Sequence, residues 1–169
     1  MKEIILRALR SAGLPSTREP NGVLRTDGKR PDGMTLIPWK NGRSLLFDYT
    51  CADTYAKSYI TKSSESAGAV AKMAEERKLI KYAELIPNYF FVPVAMETTG
   101  VWGKDGLRFI KEVGRRISME TSEPRATSYL LQRMSISLQK YNAACILGTH
   151  PKAQNLNEEI SFSGLKQKY

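Results

Sequence analysis

The dipeptide Asn41-Gly42 constrains this chain more than any other feature. It stands between two strand-like runs, Met34 to Trp39 and Ser44 to Cys51. Asn-Gly is a preferred pair for a two-residue turn in which both residues take positive φ. The twist of that turn matches the twist of the antiparallel strands it joins. The pattern predicts a hairpin turning at Lys40-Asn41-Gly42-Arg43. Each strand carries one carboxylate in an apolar setting. Asp32 opens the first strand, directly after Pro31, and Asp48 follows Leu45-Leu46-Phe47 in the second. Burying a carboxylate is costly unless it is paired or binds a metal. Two of them on neighbouring strands can point into one pocket.

The flanking sequence predicts the remaining elements. Residues 2–12 space Ile5, Leu6 and Leu9 as the stripe of an amphipathic helix, and Gly13 and Pro15 stop it. Residues 14–28 are turn-rich, with an edge strand predicted around Gly22–Arg25. Residues 52–66 are polar, hold Tyr55 and Tyr59, and read as a loop of the kind that orders on a ligand. A helix is expected over 66–85, capped by Ser66 and followed by Pro87. Tyr89 to Met96 reads as a central apolar strand. Two helices follow, over 104–119 and 125–147, with Pro124 between them and Gly148 as the final stop. Residues 152–169 offer only Leu156, Ile160, Phe162 and Leu165 as anchors and predict a loose tail after a domain at 1–151. One helix, three strands, a helix, a strand and two helices imply an α/β layer architecture with one mixed sheet. No internal repeat is seen.

Charge narrows the partner. Lys and Arg total 26 against 17 Asp and Glu, a net charge of +9. The excess is spread: residues 1–43 hold nine basic and four acidic residues, and residues 104–140 hold eight and four. A broad basic face favours nucleic acid among anionic partners; general solubility is the other reading. Cys51 and Cys145 form no CxxC pair, which excludes the usual zinc and redox motifs. Their apolar contexts predict buried thiols of an intracellular protein. Lys2 and Glu3 precede only a short apolar run, unlike a signal peptide, and no apolar stretch approaches transmembrane length.

His150 is the only histidine, which excludes HExxH and His₃ zinc sites and leaves a Ser-His-Asp triad without a well-placed base. No GxxxxGK[ST] loop is present. What remains is the acid pair with basic residues. Hard oxygen ligands on adjacent strands suit Mg²⁺. Such an ion activates water and stabilises charge on a phosphodiester, and a nearby lysine positions the water or stabilises the same charge. Plainer readings stand beside these. Asp32, between Pro31 and Gly33, also fits a turn residue bonding its own backbone. Asp48 also fits a partner for a helix arginine. Lys78 also fits a solvated charge beside Glu75. Glu97 either caps the next turn or adds an acid near the site. Trp39 and Trp102 fit packing better than base stacking.

Arg30-Pro31-Asp32, the turn, and Leu46-Phe47-Asp48-Tyr49-Thr50 resemble the PD-(D/E)xK nuclease superfamily. Its helix–three strands–helix–strand order matches the predicted one. That family places a lysine two residues after the second acid; here the position is Thr50. The restriction-endonuclease-like domains of non-LTR retrotransposons carry their lysine on the following helix, in a Lys-x-x-basic-Tyr pattern. This chain has Lys78-Leu79-Ile80-Lys81-Tyr82, with Lys78 and Tyr82 on one helix face. The stretch from Asp27 to Asp53, the Met96-Glu97-Thr98 region and Arg133-Met134-Ser135-Ile136 are similar to terminal domains of invertebrate retroelement-type proteins.

The resemblance implies a restriction-endonuclease-like mixed sheet with an αβββαβ core and added C-terminal helices. It implies a DNA endonuclease of the nicking type, dependent on Mg²⁺ or Mn²⁺ and derived from a retroelement. Asp32, Asp48 and the backbone carbonyl of Tyr49 are then the metal ligands, and Lys78 assists the water. Lys81, Tyr82, Thr50 and Glu97 support them, and Glu3 is the candidate for the family's first-helix glutamate. Lys29, Arg30 and Arg133 face the nucleic acid. The expected partner is DNA, with RNA as the alternative, no membrane, and room for a homodimer. A genomic substrate implies a nuclear location. Two other functions compete. A binding module of the same fold without catalysis fits the missing Asp-x-Lys lysine. A basic scaffold for acidic proteins fits the charge but not the acid pair.

Overall fold

In a computed structural model, which describes residues 1–23 and 28–149, Asn41 and Gly42 both take positive φ, 50° and 72°. These are the values that the two-residue hairpin turn requires. The turn joins β2 (Gly33–Lys40) to β3 (Arg43–Ala52). Ahead of them come α1 (Lys2–Ser11) and β1 (Ser16–Arg18). After them come α2 (Ile60–Glu65), α3 (Ala69–Lys81), a 3₁₀ turn (Ala83–Leu85), β4 (Phe90–Glu97), α4 (Lys104–Thr121) and α5 (Ala126–Gly148). The four strands form one sheet in the order β1-β2-β3-β4. The first two pairings are antiparallel and β3–β4 is parallel. The fold is therefore α/β, a four-stranded mixed sheet with five α-helices among the described residues.

Strand alternation divides the core between two layers. Leu45 and Phe47 of β3 pack with Ile5, Leu6 and Leu9 of α1, Ile110 and Val113 of α4, and Met134 and Leu138 of α5. Leu46 turns the other way, towards Tyr82, Leu85 and Phe91. A Cβ on Gly114 would lie 2.6 Å from the Thr127 Cα. Glycine there lets α4 and α5 meet backbone to backbone. Trp39 is buried in the core and Trp102 packs against it, as packing residues.

Several expectations are corrected. The strand over Phe90–Glu97 is last in the sheet, not central. It is apolar because α3 packs on one side and α4 on the other. Part of its outer edge is bridged by Met96 with Trp102, and Gly103 N–H donates to the Ala95 carbonyl at 2.9 Å. An edge strand lies at Ser16–Arg18, paired with Gly33 to Thr35; the one expected around Gly22–Arg25 falls partly outside the described residues. Leu24 to Asp27, His150 and the tail at 152–169 lie outside the described residues. The polar stretch 52–66 contains α2. The helix expected over 66–85 starts behind Gly68, at φ 83°, without a Ser66 cap, and gives way at Tyr82 to the 3₁₀ turn. Cys51 and Cys145 are exposed rather than buried. Both lie past the covered core, at the carboxyl end of β3 and beyond Leu138 on α5, and line a groove there. No helix among the described residues is long and apolar enough to cross a membrane.

Candidate functional site

Gly33 pairs with Phe47 across the hairpin, so Asp32 stands beside Asp48. Both are buried, at 6% and 4% exposure. The Asp32 backbone N–H donates to the Phe47 carbonyl at 3.0 Å. Its Oδ2 accepts the Tyr49 backbone N–H at 2.7 Å, and its Oδ1 meets Lys2 Nζ at 2.6 Å. The carboxylate thus takes the place of a strand carbonyl on β3. It does not bond its own backbone as a turn residue does.

Asp48 faces α3. Its Oδ1 lies 2.5 Å from Lys78 Nζ, and its Oδ2 lies 4.0 Å from Lys81 Nζ. The partners are lysines rather than an arginine. Lys78 is not a solvated neighbour of Glu75: its side chain is only 21% exposed. Four residues on, Tyr82 is fully buried against the Phe91 ring, 4.9 Å between centroids. Its hydroxyl donates to the Arg30 carbonyl at 2.9 Å. One face of α3 and its last turn therefore grip both acids, Asp48 directly and Asp32 through the segment before it. Thr50 is half-buried and alternates onto the same side of β3 as Asp48.

The helix that carries the lysines is anchored by a third acid. Glu97, 2% exposed, stands at the carboxyl end of β4. Its Oε1 accepts the backbone N–H groups of Val70 and Ala71 at 3.0 and 3.2 Å. Thr99 Oγ1 donates to its Oε2 at 3.3 Å. Free N–H groups at a helix start attract such an acceptor. Of the two readings open for Glu97, capping is the one observed, and the helix capped is α3. Glu75, 4% exposed, repeats the device. Its Oε1 and Oε2 accept Gly106 N–H at 2.8 Å and Asp105 N–H at 3.2 Å, at the start of α4. Burial pushes the Glu75 carboxyl above its ordinary range, against the pull of these amides.

The other candidates are spread. Glu3 is exposed and pairs with Arg7 at 3.0 Å. Arg30 donates from Nη1 to Asn21 Oδ1 at 2.9 Å, and Lys29 is exposed. Lys81 also lies 4.7 Å from the centre of the Tyr82 ring. Arg133 is exposed on α5, in a depression shared with Arg7 and Tyr129. Sequence reasoning missed Lys2 and Glu75. Glu75 had a signal, since it follows Ala71 by four residues and so falls on the packed face. Lys2 had none beyond its place one turn before the apolar stripe.

The donor set bears on a metal. Among the described residues, no group of three or more His, Cys, Asp or Glu converges. The hard oxygens are those of the two aspartates. Mg²⁺ commonly takes one or two carboxylates and completes its shell with water and phosphate oxygens, so this set fits such an ion. Three lysine amines now stand at the same carboxylates, where positive charge is favoured. No family model matches this chain, and no curated protein matches it.

Proposed function

We propose that this chain is a restriction-endonuclease-like domain that nicks DNA with Mg²⁺ or Mn²⁺, of retroelement-derived type. The observation that carries the reading is the ion pair between Lys78 on α3 and Asp48 on β3, 2.5 Å long. It brings a helix lysine to the strand acid where Thr50 leaves the usual lysine position empty of charge. The element order, with an antiparallel β1-β2-β3 run and a parallel β4, supports it. So does the net charge of +9.

Asp32 and Asp48 would hold a divalent ion, which would supply a Lewis acid for a phosphate oxygen and a more acidic water. The chain's own groups do the rest. The Tyr49 N–H and Lys2 hold the Asp32 carboxylate in one orientation. Lys78 presents an ammonium beside Asp48, able to stabilise the charge that builds on a phosphodiester. Tyr82 fixes the Arg30 carbonyl and so the approach to Asp32.

A second reading, binding without cleavage, is favoured by one observation: both acids already have lysine partners. Nicking of supercoiled plasmid with Mg²⁺ or Mn²⁺ separates the two. The enzyme reading expects nicking that Asp48→Asn abolishes while DNA affinity holds or rises. A parent protein that binds DNA and never nicks it leaves the binding module.

A further inference from the structure

On the far side of β3 from Asp48, an open groove of about 800 Å³ runs between the start of α1, the carboxyl ends of β3 and β4, and the last turns of α5. That volume is in the range of sites that hold a small organic group. Its walls include Tyr49, Cys51, Leu138, Tyr141, Cys145 and Ile146. Two of these are apolar surfaces left bare: Tyr141 is 58% exposed and Ile146 70%. Tyr55, also at the groove, is 71% exposed. Lys2 and Arg18 bring positive charge to it, and Glu3 and Asp53 bring negative charge.

Two observations tie this groove to the acid pair. Lys2 lines it while holding Asp32 at 2.6 Å. Tyr49 lines it while its backbone N–H holds the same carboxylate at 2.7 Å. The Tyr49 hydroxyl is buried beside the Cys51 thiol, a weak hydrogen-bond partner, with no nitrogen or oxygen partner among the described residues. Burial raises its pKa further above its ordinary value, so it stays a neutral phenol. A buried polar group without a strong partner is costly. A ligand edge with an acceptor or donor removes that cost.

We propose that the groove takes an unpaired nucleobase of the strand whose phosphate lies at Asp32 and Asp48, so that the protein prefers unpaired nucleic acid to intact duplex. This rests on the endonuclease reading for the position of the phosphate. Aromatic faces beside cationic groups fit a base with its backbone, since stacking serves any base and the cations serve the phosphates. A base held in a duplex is stacked and paired and cannot enter without being extruded.

Cys51 and Cys145 are the only cysteines in the chain and both are exposed at the groove. Their alkylation rates, read by mass spectrometry without added metal, report its occupancy. A short oligo-thymidylate is expected to slow both rates about tenfold. An abasic strand of equal length and a blunt duplex are expected to bind through phosphates and leave the rates unchanged. Tyr141→Ala, at an exposed position, is expected to weaken thymidylate binding about tenfold and leave duplex binding alone; Tyr55→Ala gives a second reading of the same kind. Equal protection by the abasic strand or duplex, or no protection by thymidylate, overturns the proposal. Protection that grows with protein concentration alone also overturns it, by showing a second copy in the groove. The alkylation assay needs no cleavage. Protection without plasmid nicking sinks only the endonuclease reading, and nicking without protection sinks only the groove.

Discussion

Asp32 and Asp48 on the hairpin and Glu75 and Glu97 around α3 are equally buried, yet they are satisfied by different kinds of donor. The glutamates accept main-chain N–H groups at the first turns of α3 and α4. Asp48 faces the amines of Lys78 and Lys81, and Asp32 faces that of Lys2 besides one amide. A helix-start amide cannot leave without unwinding the helix. A lysine amine rides on a flexible four-carbon stem and can turn away. The glutamates are therefore fixed parts of the frame, while the lysine partners of the aspartates can turn away. Burial alone does not separate the two pairs; the kind of donor that faces each carboxylate does.

The sharpest way to break this contrast is the pair Asp48→Asn and Glu75→Ala. Asp48→Asn is expected to lower metal-dependent nicking by orders of magnitude, as for a lost metal ligand. It should change unfolding free energy by less than about 1 kcal/mol, because the freed lysines can reach water. Nicking that survives, or a large loss of stability, would place Asp48 with the frame. Next in size is Lys78→Ala, which should cut nicking strongly and weaken DNA binding only slightly, as one phosphate contact among many. Adding Thr50→Lys in that background should restore part of the activity, since both positions address the same side of β3. No rescue would mean that Lys78 acts elsewhere.

On the frame side, Glu75→Ala should cost about 3 kcal/mol in denaturant unfolding by leaving one buried and one partly buried amide unpaired. Glu97→Ala should cost about 2 kcal/mol as a lost helix cap. Loss of nicking is then expected only to the extent that the fold is lost, and a stable but inactive Glu75→Ala would erase the distinction.

The smallest effect concerns acid. Hydrogen bonds from Arg115, then Arg116, hold the Glu112 carboxyl down to about 2, against burial that raises it. The folded state then binds fewer protons than the unfolded one between pH 4.5 and about 2. Its contribution is present above pH 4.5 and is lost as pH falls through that window. Thermal melts of Glu112→Gln should lose that part of the acid dependence, and only a small part, since the pair is partly exposed.

The hairpin was legible because its signal is local: Asn41 and Gly42 must take positive φ wherever they stand. Asp32, Asp48 and Lys78 were legible as charges in apolar or patterned company. The place of Lys78 beside Asp48 came only through the resemblance, because it depends on α3 crossing the back of β3. β1 escaped notice because three residues carry no period; the register of β2 defines it. The run Tyr89 to Met96 read as central because an apolar strand reports two covered faces and says nothing about neighbouring strands. The cysteines misled for a related reason. Apolar neighbours in sequence cannot reveal that the layers above β3 stop short and leave a groove. Lys2 meets Asp32 only because α1 begins beside the opening of β2.

The two clamps on α3 have a metric consequence. Glu97 grips the helix at Val70 and Ala71, and Glu75 ties it to α4. From Val70 to Lys78 the helix advances about 12 Å at 1.5 Å per residue. Removing or inserting one residue between Glu75 and Lys78 would leave both clamps in place. It would also swing the lysine about 100° around the axis, away from Asp48. The number of residues in that segment is thus a dimension of the molecule, set as firmly as a bond length and recorded in no single side chain. Such a chain could change both letters between Glu75 and Lys78, Glu76 and Arg77, and still be unable to change the count.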